Sequence, residues 1–157
     1  MVSLEFREWE YKVELTTNSS ERTKLIIERY PWARVEDSDE YTWIDSLPEG
    51  WYKAFGLEMF EEINEALKKY PQGARDDFKI LDIKEKFGTL RFYTNWSTKE
   101  INQIKKTYEE LSAVTCIDCG RPATRFSTSW IAPFCTWCAP EDSTPINKHL
   151  LNSIKEV

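Results

Sequence analysis

The segment "CIDCGRPATRFSTSWIAPFCTWC", residues 116–138, holds every cysteine of the chain, arranged as two C-x2-C pairs with fifteen residues between them. A C-x2-C knuckle turns the backbone tightly enough to offer two sulfurs to one ion, and a second knuckle completes a tetrahedral thiolate shell. The C-x2-C-x15-C-x2-C spacing falls within the recognised zinc-site range, which assigns Cys116, Cys119, Cys135 and Cys138 as ligands of one structural zinc ion. Gly120 follows the first knuckle, where backbone angles closed to bulkier residues let amides approach the sulfurs. Between the knuckles, Thr124, Phe126 and Thr128, then Trp130, Ile131 and Phe134, suit two short strands joined near Ser129. The whole predicts a zinc ribbon over 115–140.

Four thiolates leave no open coordination position for water or substrate, so the metal reads as a scaffold. A redox C-x-x-C pair is the weaker alternative, because two matched pairs stand at ribbon spacing. A deaminase-type centre also fits poorly. "PFCTWC" matches one half of that signature, but the other half needs a glutamate two residues past its ligand, where this chain has Asp118.

A chain of 157 residues can bury a core as one domain with an appended metal module. Its 14% aromatic content, including seven Trp, supplies apolar surface well beyond that of a disordered chain. The charged opening "MVSLEFREWEYKVEL" lacks the zones of a secretory signal, and no stretch is apolar for long enough to span a bilayer. A soluble protein of a reducing cytoplasm, with no membrane partner, is therefore expected. That compartment favours metal over disulfide at paired cysteines. The net charge of −6 divides into −8 over residues 1–77 and +2 over residues 78–157, so a polyanion would meet the second half.

The body, residues 1–114, predicts an α+β fold, a small helical and β-hairpin domain. The opening segment fits neither helical nor strand period cleanly. Asn18 with Glu21 forms a capping box for a helix over about 19–30, with Leu25, Ile26 and Tyr30 as its stripe and Pro31 as its stop. Residues 31–50, with the acidic run "EDSDE", form a surface connection pinned by tryptophans. Leu57, Phe60, Ile63, Leu67 and Tyr70 recur at helical spacing in a second helix over 51–70, with Glu61 on its polar face.

Residues 78–94 alternate as a hairpin in which Leu81 and Ile83 face one way and Ile80, Asp82 and Lys84 the other. Phe87 is a poor residue for positive φ, so a glycine-bulge turn is expected at Gly88. Ser97 and Glu100 cap a third helix over 98–115, whose face carries Ile101, Ile104, Tyr108 and Leu111. Residues 141–157 predict a tail or a short helix from about Ile146.

Lys84, Lys86 and Arg91 near the hairpin turn, with Arg121 and Arg125 on the ribbon, could make a basic strip for phosphates, flanked by Tyr93 and Trp130 for base stacking. Solvated strand-end charges explain the same residues without a ligand. Trp32, Trp43, Trp51 and Trp130 are candidate interface anchors, core packing being the competing role. The lone His149 matches no ligand register, and neither a catalytic triad nor a glycine-rich phosphate loop is present.

"GWYKAFGLEMFEEINEAL", "KEKFGTLRFYT", "TCIDCG" and "FCTWC" together resemble a group of small uncharacterised proteins of phages and bacteria, over about residues 43–138. The resemblance implies a Gly-Trp helix, a K-E-K-F-G-x-L-R-F-Y hairpin and a terminal pair of zinc knuckles. The hairpin motif falls on Lys84, Glu85, Lys86, Phe87, Gly88, Leu90, Arg91, Phe92 and Tyr93. It also implies a phage or prophage setting and no particular activity. The leading reading is a non-enzymatic zinc-containing binding protein that contacts another protein, such as a host or phage-defence component. The alternatives are nucleic-acid binding through the basic strip, and a small-ligand trap or enzyme whose pocket wall includes Glu85, Arg91 and Tyr93.

Overall fold

The computed structural model describes residues 2–146. The ambiguous opening is a helix, α1 (Leu4–Leu15): Ser3 Oγ accepts the Phe6 N–H at 3.1 Å, and Phe6 and Val13, two turns apart, bury its one apolar edge. In α2 (Ser19–Arg29), Asn18 is the N-cap, accepting the Glu21 N–H at 3.0 Å. Thr23, Ile26 and Tyr30 face inward, while Leu25 is only half-buried.

The second expected helix starts slightly early and is not regular. It runs from α3 (Glu49–Trp51) through a π-helical turn, Tyr52–Gly56, into α4 (Leu57–Leu67). The inserted π residue shifts the inward face by part of a turn, so Trp51 and Phe55 point into the core along with Leu57, Phe60 and Ile63. Glu61, expected on the polar face, is buried.

After α5 (Gln72–Asp77) the hairpin forms from β1 (Ile80–Lys86) and β2 (Thr89–Thr94). Its alternation departs from the expected pattern: Ile80 pairs with Thr94 and Asp82 with Tyr93, so Leu81 is the extra residue of a β-bulge. The bulge brings Ile80 and Ile83 into the core together and turns Leu81 outward, 58% exposed. The turn also differs. Lys86 pairs with Thr89, leaving a two-residue loop, and both Phe87 (φ 53°) and Gly88 (φ 82°) are left-handed, as a type I′ turn requires. Glu85 compensates by accepting the Gly88 N–H at 2.7 Å, and Thr89 Oγ1 donates to the Lys86 carbonyl at 3.0 Å.

Thr98, not Ser97, caps α6 (Lys99–Ser112), accepting the Ile101 N–H at 3.1 Å; Ser97 donates to Asn102 Oδ1 instead. Ile101 and Tyr108 are buried as expected, but Leu111 is exposed. Ser112 takes the inward place in the last turn, accepting the Leu90 N–H at 2.8 Å and so joining α6 to the hairpin.

The C-terminal part is a three-stranded sheet in the order β4–β3–β5, built from β3 (Arg125–Phe126), β4 (Pro133–Phe134) and β5 (Thr144–Pro145). The third strand replaces the start of the expected tail, since Thr144 and Pro145 pair with Phe126 and Arg125. The remainder of the helix expected from about Ile146 lies outside the described residues. Buried side chains of α1, α2, α4, the hairpin and α6 form one cluster that also includes Cys116, Ile117, Phe134 and Cys135. Among the described residues, no helix is long and apolar enough to cross a membrane.

At the centre of the helical side sits a buried ionic knot. Glu61, 3% exposed, accepts Arg29 Nε at 2.8 Å, Arg29 Nη2 at 2.9 Å and the Tyr30 hydroxyl at 2.8 Å. Arg29 also grips Glu5 of α1 through both Nη atoms and lies 4.8 Å from the Trp9 ring centroid. Hydrogen bonds to Glu5 and Glu61 raise the Arg29 pKa, while burial and the Glu61 charge raise that of Tyr30. One guanidinium thus binds α1, α2 and α4. Arg29→Met is expected to leave Glu61 buried without a counter-ion and cost about 3–5 kcal/mol, measured by urea denaturation, because desolvated charges lose far more than a surface pair does. Glu5→Gln, at the exposed end of the knot, is expected to shift the same urea transition far less than Arg29→Met does.

Candidate metal centre and its surroundings

The two knuckles approach each other because β3 and β4 pair between them. In the first, the Gly120 N–H donates to the Cys116 carbonyl at 3.0 Å and the Cys116 N–H to the Arg121 carbonyl at 2.7 Å. Gly120 has φ 84°, which a side chain would strain. In the second, the Ala139 N–H donates to the Cys135 carbonyl at 3.1 Å. The knuckles are stitched together by Ile117 N–H to the Pro133 carbonyl at 2.9 Å.

This framework brings the sulfurs of Cys116, Cys119, Cys135 and Cys138 within 4.8 Å of one another, with none in a disulfide. The Cys119 and Cys135 sulfurs are 3.6 Å apart. Thiolates around zinc at about 2.3 Å stand about 3.8 Å apart at tetrahedral corners, so a cluster of this size suits such an ion. Burial opposes ionisation of Cys135, but hydrogen bonds from the Cys138 backbone and the Cys119 and Cys138 thiols overcome it and pull its pKa down to about 6. The Cys138 thiol, sharing its hydrogen bond with that sulfur and partly desolvated, is pushed up to about 12. Arg121 Nη1 lies 3.8 Å from Cys119 Sγ, where a cation offsets the excess negative charge of a four-thiolate site.

The centre is fused to the body through backbone. The Gly50 N–H donates to the Ile117 carbonyl at 2.9 Å, and Trp51 Nε1 donates to the Thr115 carbonyl at 3.1 Å. A Cβ on Gly50 would stand 2.2 Å from the Cys116 carbonyl oxygen, and one on Gly120 would stand 2.7 Å from the Gly50 carbonyl oxygen. On the other side of the ribbon, a Cβ on Gly88 would lie 3.1 Å from the Ile131 carbonyl oxygen. The Gly-Trp helix and the K-E-K-F-G turn, both singled out by motif, thus meet the ribbon from two directions. Neither role is visible locally, because the backbone that each glycine meets lies more than forty residues further along the chain.

The five basic residues are spent differently. Arg91 pairs with Glu109, and Arg125 is bound within the ribbon, Nε to Ser143 Oγ at 2.6 Å and Nη2 to the Ser143 carbonyl at 2.7 Å. Lys84 pairs with Asp82 at 3.2 Å and lies over Tyr93; Lys86 lies over Phe87 and Arg121 over Trp137. Of the four tryptophans, Trp32 and Trp51 are core residues and so cannot be surface anchors, Trp43 is half-buried and Trp130 is 55% exposed. Glu85 is engaged in its own turn. A cleft of about 740 Å³ lies at the opposite end of the hairpin, and Glu85, Arg91 and Tyr93 do not line it. His149 falls outside the described residues. No family model matches the chain, and no curated protein or solved structure does either.

Gly50→Ala is expected to destabilise the ribbon by about 1–3 kcal/mol despite alanine's better helix propensity, because the added methyl meets backbone that cannot yield. Loss of metal at lower chelator concentration, with the hairpin amides still protected from exchange, would be the readout. Metal affinity should also fall as pH drops. Protons compete for Cys135 below about pH 6, and the Cys138 proton must be displaced even at neutrality. Competition against a chromophoric chelator between about pH 6 and 8 is expected to show at least about a tenfold loss per pH unit.

Proposed function

We propose that this chain is a non-enzymatic binding protein that holds one structural zinc ion through Cys116, Cys119, Cys135 and Cys138 and works by contact with another protein in a reducing cytoplasm. The observation that carries the reading is exposed aromatic surface on the ribbon and hairpin tip: Trp137 is 79% and Trp130 55% exposed, and Phe87 is 60% exposed. Exposed Trp and Phe with neighbouring cations are the residue types that anchor protein interfaces. Phe87 adds a second argument. A bulky residue at φ 53° costs about 1 kcal/mol, yet the turn keeps a phenyl ring in solvent where asparagine would be relaxed. A phage or prophage setting, with a host or defence protein as partner, rests on the motif resemblance.

Phe87→Asn is therefore expected to raise stability by about 1 kcal/mol in urea denaturation while weakening partner capture. Affinity purification with the zinc-loaded chain, beside F87N and the double substitution W130A/W137A, tests the reading. A partner retained equally by all three would overturn it.

The second reading, nucleic-acid binding, is favoured by one observation: Lys84, Lys86 and Arg121 each stack on an exposed aromatic ring, Tyr93, Phe87 and Trp137. Arg91 and Arg125 are held by Glu109 and Ser143, and Lys84 shares its charge with Asp82, so Lys86 and Arg121 carry most of this reading. A single-stranded oligonucleotide whose retention falls steeply with salt, and vanishes when Lys84, Lys86 and Arg121 become Gln, would favour it over the first.

A further inference from the structure

The cleft at the start of the hairpin is separate from the ribbon, and nothing in the proposed function uses it. It lies between the end of α2, the segment before Trp43, the end of α4, α5 and the first residues of β1. Its volume of about 740 Å³ is that of a small-molecule site. Three features of its lining are otherwise unexplained.

First, Arg75 lines the cleft, and its Nε is a buried donor without a partner among the described residues, although Nη2 of the same guanidinium donates to Gln72 Oε1 at 2.7 Å. A guanidinium keeps its charge at every relevant pH, and a buried charged donor without an acceptor is costly. Second, the β-bulge spends a ladder position to turn Leu81 out of the sheet, and Leu81 lines the cleft while 58% exposed. Bulges are used this way to aim a side chain beside a site. Third, the cleft has an aromatic wall: Trp32 and Phe78 meet edge to face at 5.6 Å, and the half-buried Trp43 stands with them.

Charge narrows the ligand. Arg29 is closed off by Glu5 and Glu61, and Arg34 by Asp39 and the Ser38 carbonyl. Lys68 is taken by Glu65, and Asp76 accepts Gln72 Nε2 at 2.6 Å, which leaves Arg75 and the exposed Lys79 as the lining cations without an ion pair among the described residues. Glu28, Glu36 and Asp37 also line the cleft, so a polyphosphate would be repelled where a single anionic group held by the two cations would not. We propose that this cleft binds a small planar aromatic molecule bearing one carboxylate. The carboxylate meets Arg75 and Lys79, and the ring lies among Trp43, Phe78 and Leu81.

The test is a titration of the zinc-loaded, 15N-labelled full chain with indole-3-propionate, followed by the Arg75 Nε–H and Trp43 indole N–H resonances. Both are expected to shift, with a dissociation constant of about 1 mM or lower. Tryptamine, with the same ring and an ammonium group, and propionate, with no ring, are expected to leave them in place. Arg75→Met should weaken binding at least about tenfold, the loss expected for a charge-assisted pair. Lys79→Met, at an exposed position that does not endanger folding, should weaken it several-fold. Equal shifts with tryptamine, no shift with indole-3-propionate up to about 10 mM, or unchanged binding by a folded K79M and R75M would overturn the proposal.

Discussion

The backbone contact between Gly50 and the first cysteine knuckle is the constraint on which the rest of the C-terminal half depends. Two carbonyls of the knuckle stand where a side chain on Gly50 would be, and the Gly50 N–H is bonded to one of them. Such an approach is open only to glycine, and it makes the metal site continuous with the core instead of a module on a tether. Cys116, Ile117 and Cys135 are accordingly buried in the same cluster as Phe60 and Trp51. Metal binding at the cysteines would then stabilise the body as well as the ribbon, since the two share packed surface.

A second tie holds the helical half. Arg29 replaces the apolar contacts that three helices could otherwise make with charge-assisted hydrogen bonds to Glu61 and Glu5. A buried ion pair of this kind adds less net stability than its geometry suggests, because both groups lose water. Its effect is on register: Arg29 must lie opposite Glu61 and Glu5 at once, which sets how α1 and α4 sit against α2. With the core held by these two ties, the hairpin tip and ribbon can afford exposed aromatics and a left-handed phenylalanine.

Much of this was legible in the sequence, and particular residues show where legibility stopped. The Leu57, Phe60, Ile63 and Leu67 spacing predicts a helix because every one of those contacts lies within a few turns of chain. Asn18 was readable as a cap for the same reason. Periodicity puts Glu61 on the polar face because it counts hydrophobicity and cannot see that Arg29, 32 positions away, supplies a partner. The bulge at Leu81 was invisible because an extra residue is defined against the opposite strand. Phe87 disfavours a type I′ turn locally, whereas Glu85 and the flanking pairs enforce it.

The four-thiol cluster is what the sequence determined by itself: two knuckles at ribbon spacing carry their own turn geometry, and tetrahedral closure needs little from elsewhere. The α+β composition was equally local, each element being announced by its period and caps. Tertiary structure alone decided which tryptophans are core and which face solvent, which of the basic residues remain free, and where a cleft opens. Those properties depend on what packs opposite each side chain, and residues far apart in the chain supply it. Trp51 and Trp137 are the same residue type, one in a polar stretch and one in a knuckle, and only the fold buries the first and exposes the second.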